Sequence, residues 1–245
     1  MAGKRADYGI DAPGVVRNLL LGGLAAGLVG GLNYWILRIG NPWWAEAILI
    51  YGLFVAVCLL VTGSVMIWGS KVGKLHLRDR LLGQIPWQGD ELVLDVGCGR
   101  GLFLIGAAQK APQGRVIGID LWRGEDQSGN RPETTLANAQ LEGVEGRIEL
   151  RTGDARQLPF EEGHFDRIVS SWALHNIPDA DGRKKAVQEI VRVLKPGGWL
   201  AIADIEHSKE YEQVFRQAGM QHIQRKGPNF VFMIPTYTLI AEKPG

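Results

Sequence analysis

Cysteine is scarce: the 245 residues hold only Cys58 and Cys98. One lies in an apolar run and the other in a glycine turn, so the pair argues against a disulfide framework and a cysteine metal site. An excess of one charge is missing too. There are 27 Lys+Arg against 26 Asp+Glu, a net charge of +1, and no global field draws the chain to nucleic acid. No basic stripe with interleaved aromatics appears in the second two-thirds of the chain. Two nucleotide signatures fail as well. The dinucleotide pattern G-x-G-x-x-G breaks where Leu102 replaces its third glycine, and no Gly-Lys-Ser/Thr completes a phosphate loop. No flexible Ser- or Gly-rich linker separates the first third from the rest.

What is present begins with two long apolar runs. Leu19–Leu37 carries no charge and one polar break, Asn33; Ala47–Trp68 is the second run. Each is long enough as a helix to cross a bilayer core. Arg38 to Asn41 and the helix-stopping Pro42 separate them, which predicts a tight transmembrane hairpin. Tyr34, Trp35, Trp43, Trp44 and Trp68 fall near the run ends, where amphipathic rings prefer the interface. Lys4, Arg5 and Arg17 precede the first run, and Lys71, Lys74, Arg78 and Arg80 follow the second, while the connection offers only Arg38 beside Glu46. The positive-inside rule then places both termini and the remaining domain in the cytoplasm, on an inner (cytoplasmic) membrane. Gly23, Gly27 and Gly31 share one face of the first run. That face suits packing on Gly52, Ala56 and Gly63 within the hairpin, or a homodimer. The expected organisation is a hairpin over 1–70 with spans of about 19–37 and 47–68, a linker helix over 71–88, and a domain over 89–245.

That domain is organised around Val93-Leu94-Asp95-Val96-Gly97-Cys98-Gly99-Arg100-Gly101. Leu92–Val96 reads as a buried strand, the three glycines as a sharp turn, and Leu102–Ala111 as a helix. Backbone N–H groups at such a turn and helix start are expected to face a ligand. Strands and helices then alternate, predicting a mostly parallel sheet. Strands are expected at Arg115–Asp120, Arg147–Thr152, Phe165–Ser171, Trp199–Asp204, His222–Lys226 and Thr238–Glu242. Helices are expected from Pro132, over Lys185–Val193 and over Tyr211–Ala218. Asp120 ends its strand about twenty residues beyond the glycine turn, a position that suits the ribose hydroxyls of a nucleoside. The long loop Leu121–Arg131 at that strand end is of the kind that covers a ligand. In it, Trp122 either approaches that ligand or packs on the sheet.

Asp-x-Gly-x-Gly-x-Gly at 95–101, Asp120, Gly153-Asp154-Ala155 and Leu194-Lys195-Pro196-Gly197-Gly198 occur in order. Together these elements resemble the class I S-adenosylmethionine (SAM) dependent methyltransferases over residues 72–245. The likeness is nearest to the small-molecule type 11 branch, which includes members with an N-terminal membrane hairpin. The resemblance implies an α/β, Rossmann-like seven-stranded, mostly parallel sheet with helices on both faces. It implies SAM as cofactor. Asp95, Gly97, Gly99 and Gly101 would serve the amino-acid end, with Asp95 holding the ammonium directly or through water. Asp120 and Leu121 would serve the ribose, Asp154 and Ala155 the adenine, and Ser171 the strand end beside the transferred methyl.

Methyl transfer from a sulfonium needs positioning and exclusion of water, and a base only if the acceptor must lose a proton. His175 is the candidate base, with helix packing as its alternative. Asn176 would orient an acceptor or cap the following helix, and capping is the expected role. Asp204, Glu206 and His207 lie at the next strand end. The Asn-Pro-Pro-Tyr/Phe element of many nucleic-acid and protein amino-methylating enzymes is replaced by Ser170-Ser171-Trp172-Ala173. A hairpin beneath a minimal domain predicts a small, lipophilic, membrane-partitioned acceptor and no nucleic-acid partner. A SAM-binding sensor or scaffold remains the alternative.

Overall fold

The computed structural model describes residues 6–123 and 129–245. The expectations placed on Lys4, Arg5 and residues 124–128 of the Leu121–Arg131 loop lie outside them. Two long helices come first, α1 (Pro13–Leu37) and α2 (Pro42–Trp68). Both are long and apolar enough to cross a membrane. Pro42 does more than end the first helix: it occupies the first turn of α2, where its missing N–H costs no hydrogen bond. The second helix therefore starts five residues before the expected Ala47. Asn33 returns its amide to the Val29 carbonyl at 2.8 Å, which satisfies it inside its own helix.

The small residues do the packing. A Cβ on Gly23 would lie 2.7 Å from Leu60 Cγ, Gly27 faces Ala56 Cβ at 3.6 Å, and Gly30 meets Gly52 Cα at 3.2 Å. Gly31, expected in that row, meets nothing within 4 Å. The reason is periodicity: 3.6 residues per turn carries the contact from 27 to 30 rather than 31. Since Gly23, Gly27 and Gly30 are used inside the hairpin, a homodimer through this face would have to displace that packing.

No break separates α2 from the linker. One π-helical turn, Gly69–Gly73, carries it into α3 (Lys74–Leu82). Gly69 is required there by close approach, because a Cβ would fall 1.8 Å from the Val231 carbonyl oxygen. The linker helix lies on the domain: Leu77, Leu81 and Leu82 are buried in its core, and Arg78 Cδ would meet a Cβ on Gly106 at 2.6 Å.

The domain's strands are β1 (Leu92–Val96), β2 (Arg115–Asp120), β3 (Ile148–Thr152), β4 (Phe165–Ser171), β5 (Leu194–Asp204), β6 (Gln221–Phe230) and β7 (Pro235–Glu242). They form one sheet in the order β3-β2-β1-β4-β5-β7-β6. The first five are parallel and β7 runs against both its neighbours. Helices α4 (Leu102–Lys110), α5 (Pro132–Leu141), α6 (Ala180–Val193) and α7 (Ser208–Gln217) complete the chain. Two cores result. Phe103, Leu104 and Ile105 of α4 share one with α3; Val187, Ile190, Tyr211 and Phe215 build the other beneath α6 and α7.

Several boundaries depart from expectation: β6 runs on past Lys226 to Phe230, β7 begins at Pro235 rather than Thr238 and α7 at Ser208 rather than Tyr211. The segment Leu194–Gly198 is drawn into β5 as an irregularity, with Phe165 opposite Leu194 and Arg167 opposite Trp199. Gly197 and Gly198 are held there by reciprocal backbone bonds with Lys243. Helix α6 starts at Ala180 rather than Lys185. Its N-cap is Asp179, whose carboxylate accepts from Gly182 N at 2.6 Å. Capping of this kind contributes about 1 kcal/mol, and it removes from Asn176 the capping role expected of it.

Candidate functional site

The chain builds β1, β2 and β3 outward to one side, then returns to place β4 on the other side of β1. Loops leaving the carboxyl ends of β1 and β4 therefore part, and open sheets bind ligands at that switch point. A cavity of about 840 Å³ opens here. Gly97, Gly99, Asp120, Leu121, Asp154, Ala155, Ser171, His175 and Asn176 all line it. Gly101 does not; it serves as N-cap of α4, with φ +86°.

The glycine turn behaves differently from the expected N–H cradle. Gly97 N and Cys98 N both donate to the Ile119 carbonyl, Gly99 N donates to Asp120 Oδ2 at 2.8 Å, and Gly101 N donates to the Cys98 carbonyl. The donors point inward because the turn has to be tied to the end of β2. The carbonyls of the turn are engaged as well: Cys98 O accepts from Gly101 N, Gly99 O from Thr135 Oγ1 at 2.6 Å and Arg100 O from Asn138 Nδ2 at 3.0 Å.

The three carboxylates have unlike surroundings. Asp95 is fully buried and is not on the cavity wall. Neither of its oxygens has a hydrogen-bond partner. Burial pushes its carboxyl well above the ordinary range, opposed by the nearby Leu104 N–H, with Asp120 adding to the rise. Asp95, expected to hold a ligand ammonium, thus lies buried and off the cavity wall. Asp120 sits on the wall. Its Oδ1 accepts from Trp122 N at 2.7 Å and Asn130 Nδ2 at 3.2 Å, its Oδ2 from Gly99 N. Asp154 also lines the cavity, but Arg156 grips both its oxygens, with Nη2 at 2.6 Å from Oδ2. That guanidinium holds the Asp154 carboxyl below its usual value. Trp122 resolves toward packing. It lies outside the wall and donates from Nε1 to Thr152 Oγ1 at 3.0 Å.

On the opposite side the structure joins two residues that sequence could only place at neighbouring strand ends. His175 Nδ1 lies 2.5 Å from Asp204 Oδ1, and His175 N donates to Asp204 Oδ2 at 3.1 Å. Asp204 is fully buried and also accepts from Ile205 N and from Tyr211 Oη at 3.2 Å. Burial beside Asp204 drives the Tyr211 phenol far above its ordinary value, so it stays a donor. A carboxylate at Nδ1 fixes the tautomer and makes Nε2 the basic nitrogen of the ring. Glu206 and His207 do not join this set. His207 pairs with Glu210 at 2.9 Å, and neither residue reaches the cavity. His164 stacks on Phe160 and His222 on Trp199.

The remaining wall comes from places with no sequence signal. Residues 6–12 cross the cavity's edge before entering α1, and Tyr8, Ile10, Asp11, Ala12 and Pro13 line it. The strap is tied down at both ends. Asp7 N donates to Asn138 Oδ1 at 2.9 Å while Asn138 Nδ2 donates to the Asp7 and Arg100 carbonyls. Lys74, buried, donates to the Tyr8 and Gly9 carbonyls and to Asp11 Oδ2 at 2.8, 3.1 and 3.0 Å. Trp172, Phe232 and Ile234 add an apolar surface, with the Trp172 and Phe232 rings 5.1 Å apart. The nearest thing to a signal was a polar Asn138 on the buried side of a helix.

Residues 94–202 match the family described as Methyltransferase domain. A demethylmenaquinone methyltransferase of Symbiobacterium thermophilum is 35% identical over 136 residues, 55% of this chain and 50% of that protein. A 27-O-demethylrifamycin SV methyltransferase of Amycolatopsis mediterranei is 34% identical over 53% of this chain and 44% of its own. The chain thus spans about half the length of these curated relatives. Among solved structures, the [4+2]-cyclase SpnF shares the fold with a TM-score of 0.56 at 19% identity, over 69% of this chain and 80% of that one.

Proposed function

We propose, from the match of residues 94–202 to the family described as Methyltransferase domain, that the chain is a membrane-anchored, SAM-dependent methyltransferase acting on a lipophilic small molecule. A quinone-class acceptor is favoured, as the name of the Symbiobacterium relative suggests. The anchor is α1 and α2, with the domain and both termini on the cytoplasmic side. One observation carries the reading. The same cavity has a polar wall of Asp120, Asp154 and the glycine turn on one side. On the other it has an apolar wall contributed by the entrance to α1 and by Phe232 and Ile234, beside the end of α2.

The residues fit the cofactor. Asp120 on the wall suits the ribose hydroxyls, and Asp154 with Ala155 suits the adenine edge. When bound, SAM supplies an activated methyl group on sulfur. The protein then has to align an acceptor atom with that methyl, keep water out and receive a proton. With the cofactor bound, His175 Nε2 would receive the proton that the acceptor loses on methylation. Asp204, held by Tyr211 and Ile205 N, stabilises the imidazolium that results. Positioning alone supplies much of such a rate enhancement.

The test uses full-length protein in vesicles doped with a native membrane lipid extract and methyl-labelled SAM. The expected result is label in a lipid-soluble product, with an equal amount of S-adenosylhomocysteine. Label confined to water-soluble products would overturn the lipophilic acceptor. Cofactor uptake with no product at all would favour the sensor alternative.

A further inference from the structure

The turn joining β6 to β7 is built to hold apolar side chains outward. Within the domain, large exposed apolar residues among the described ones are Leu121, Leu136, Leu141, Phe230, Met233 and Ile234. Three of the six fall within the five residues 230–234. Phe230 is 65% exposed, Met233 52% and Ile234 36%. Scattered single residues of this kind are ordinary, but a cluster marks a contact surface.

The cluster is rigidly backed. Val231 and Phe232, between the exposed residues, are buried. The Val231 carbonyl lies against Gly69 and its Cγ1 would meet a Cβ on Gly73 at 3.3 Å. Phe232 packs edge-on to Trp172. Met233 holds a left-handed backbone at φ +65°, which a methionine adopts only when its neighbours impose it.

The position of the turn says what it meets. It sits at the junction where α2 becomes the π-helical turn, directly beside Trp68, which is itself 57% exposed. An outward tryptophan at the end of an apolar helix marks the headgroup level of a bilayer. Phe230, Met233 and Ile234 flank Val231 and Phe232, which pack on that junction, and an apolar surface there is suited to the boundary between headgroups and acyl chains.

We propose that the 230–234 turn is a third membrane-contacting element, seating the domain on the leaflet in which α2 ends. The surface it fits is the bilayer, and no protein partner is needed. Phe232 and Ile234 also line the cavity, so the contact places the cavity's apolar wall against the lipid from which an acceptor would come. The inference rests on the reading of α1 and α2 as membrane spans, and the experiment separates the two.

The full chain is reconstituted in phosphatidylethanolamine and phosphatidylglycerol vesicles, with a nitroxide at one of three sites. The first is native Cys58, which is exposed on α2 while Cys98 is buried. The second is Met233→Cys and the third Leu136→Cys, both with Cys58→Ala. SAM uptake confirms that each variant is folded. Depth is read from relaxation by oxygen against a water-soluble nickel chelate. The expected oxygen-to-nickel ratio is highest at 58, severalfold lower but still lipid-like at 233, and water-like at 136. A water-like ratio at 233 with a deep Cys58 overturns this inference and leaves the spans intact. A water-like Cys58 overturns the spans and this inference with them. Phe230→Cys repeats the reading if Met233→Cys fails to bind SAM.

Discussion

One wall of the cavity comes from three successive strand ends, Val96–Arg100 after β1, Asp120–Leu121 after β2 and Gly153–Arg156 after β3. The facing wall comes from residues 10–13, 172–178, 205, 232 and 234, spread along nearly the whole chain. The first wall is short-range in sequence and polar. The second exists only once the strap, α2 and the β6–β7 turn have packed together. The contrast teaches where two kinds of specificity reside. Recognition of a common cofactor is written into local turns, whereas recognition of an acceptor depends on how distant apolar segments meet. Each wall should then fail in its own way when altered.

The largest effect should come from the facing wall. His175→Ala should lower kcat by roughly 10²–10⁴, the usual range for a positioned general base, with the SAM dissociation constant unchanged within about twofold by calorimetry. Asp204→Asn should follow in the same direction, since an amide donating to Nδ1 imposes the other tautomer. A loss below about tenfold in both variants would reduce His175 to packing. Next comes the cofactor wall. Asp120→Ala removes an ionised acceptor of the kind that contributes about 1.5–3 kcal/mol, so SAM binding should weaken by roughly 10- to 150-fold. Because Asp120 also ties Gly99 N and Trp122 N, thermal melting must accompany the titration. The kcat at saturating SAM should stay near its original value; a fall in kcat with unchanged SAM affinity would invert the comparison.

Much of the sheet was legible because its information is local. Alternation of apolar runs with glycine and proline breaks predicted seven strands close to where they stand, and Asp-x-Gly-x-Gly-x-Gly located the switch point. Failures share a physical cause: the deciding partner was distant. The donors of Gly97 and Cys98 are consumed by Ile119 O, more than twenty residues away. Nothing in the spacing of His175 and Asp204 announces that they touch, 29 positions apart. The strap at 6–12 has neither periodicity nor motif and is held by Asn138, Ser70, Lys71, Lys74 and Arg100. Asp179 was the exception. An acid just after Pro178 is a readable cap, and it marks a helix start five residues before Lys185.

Asp95 offers a smaller effect with a defined sign. Its carboxyl is raised above the ordinary 3.8 by burial. A folded state that binds the proton more tightly than the unfolded chain is favoured most below that ordinary value. Its contribution is lost as pH climbs toward the folded pKa. Asp95→Asn removes the titration. Denaturant melts should therefore show the variant gaining on the parent protein from about pH 3.8 upward, by at most roughly 1.4 kcal/mol per pH unit. Saturating SAM should shrink that gap, because a cation above the turn favours the ionised form. A gap that is flat with pH would mean that Asp95 does not change its ionisation on folding.

The smallest effect is expected at Asp154, and it bears most directly on how the polar wall works. Its partner Arg156 lies on the surface, and Asp154 itself is about one-third exposed. Exposed pairs of this sort contribute about 0–1 kcal/mol, so Asp154→Asn should shift the melting midpoint little. If the carboxylate accepts from the adenine amino group, it does so while shared with a guanidinium that already draws on both oxygens. That competition weakens the contact, and the amide oxygen of asparagine remains an acceptor. SAM affinity should accordingly fall by less than about fivefold, well short of the loss at Asp120→Ala. Arg156→Ala sharpens the point: freeing Asp154 should leave adenine binding equal or tighter. If Asp154→Asn instead costs as much as Asp120→Ala, then Arg156 must leave the carboxylate when the cofactor arrives, and the polar wall is assembled by the ligand rather than preformed.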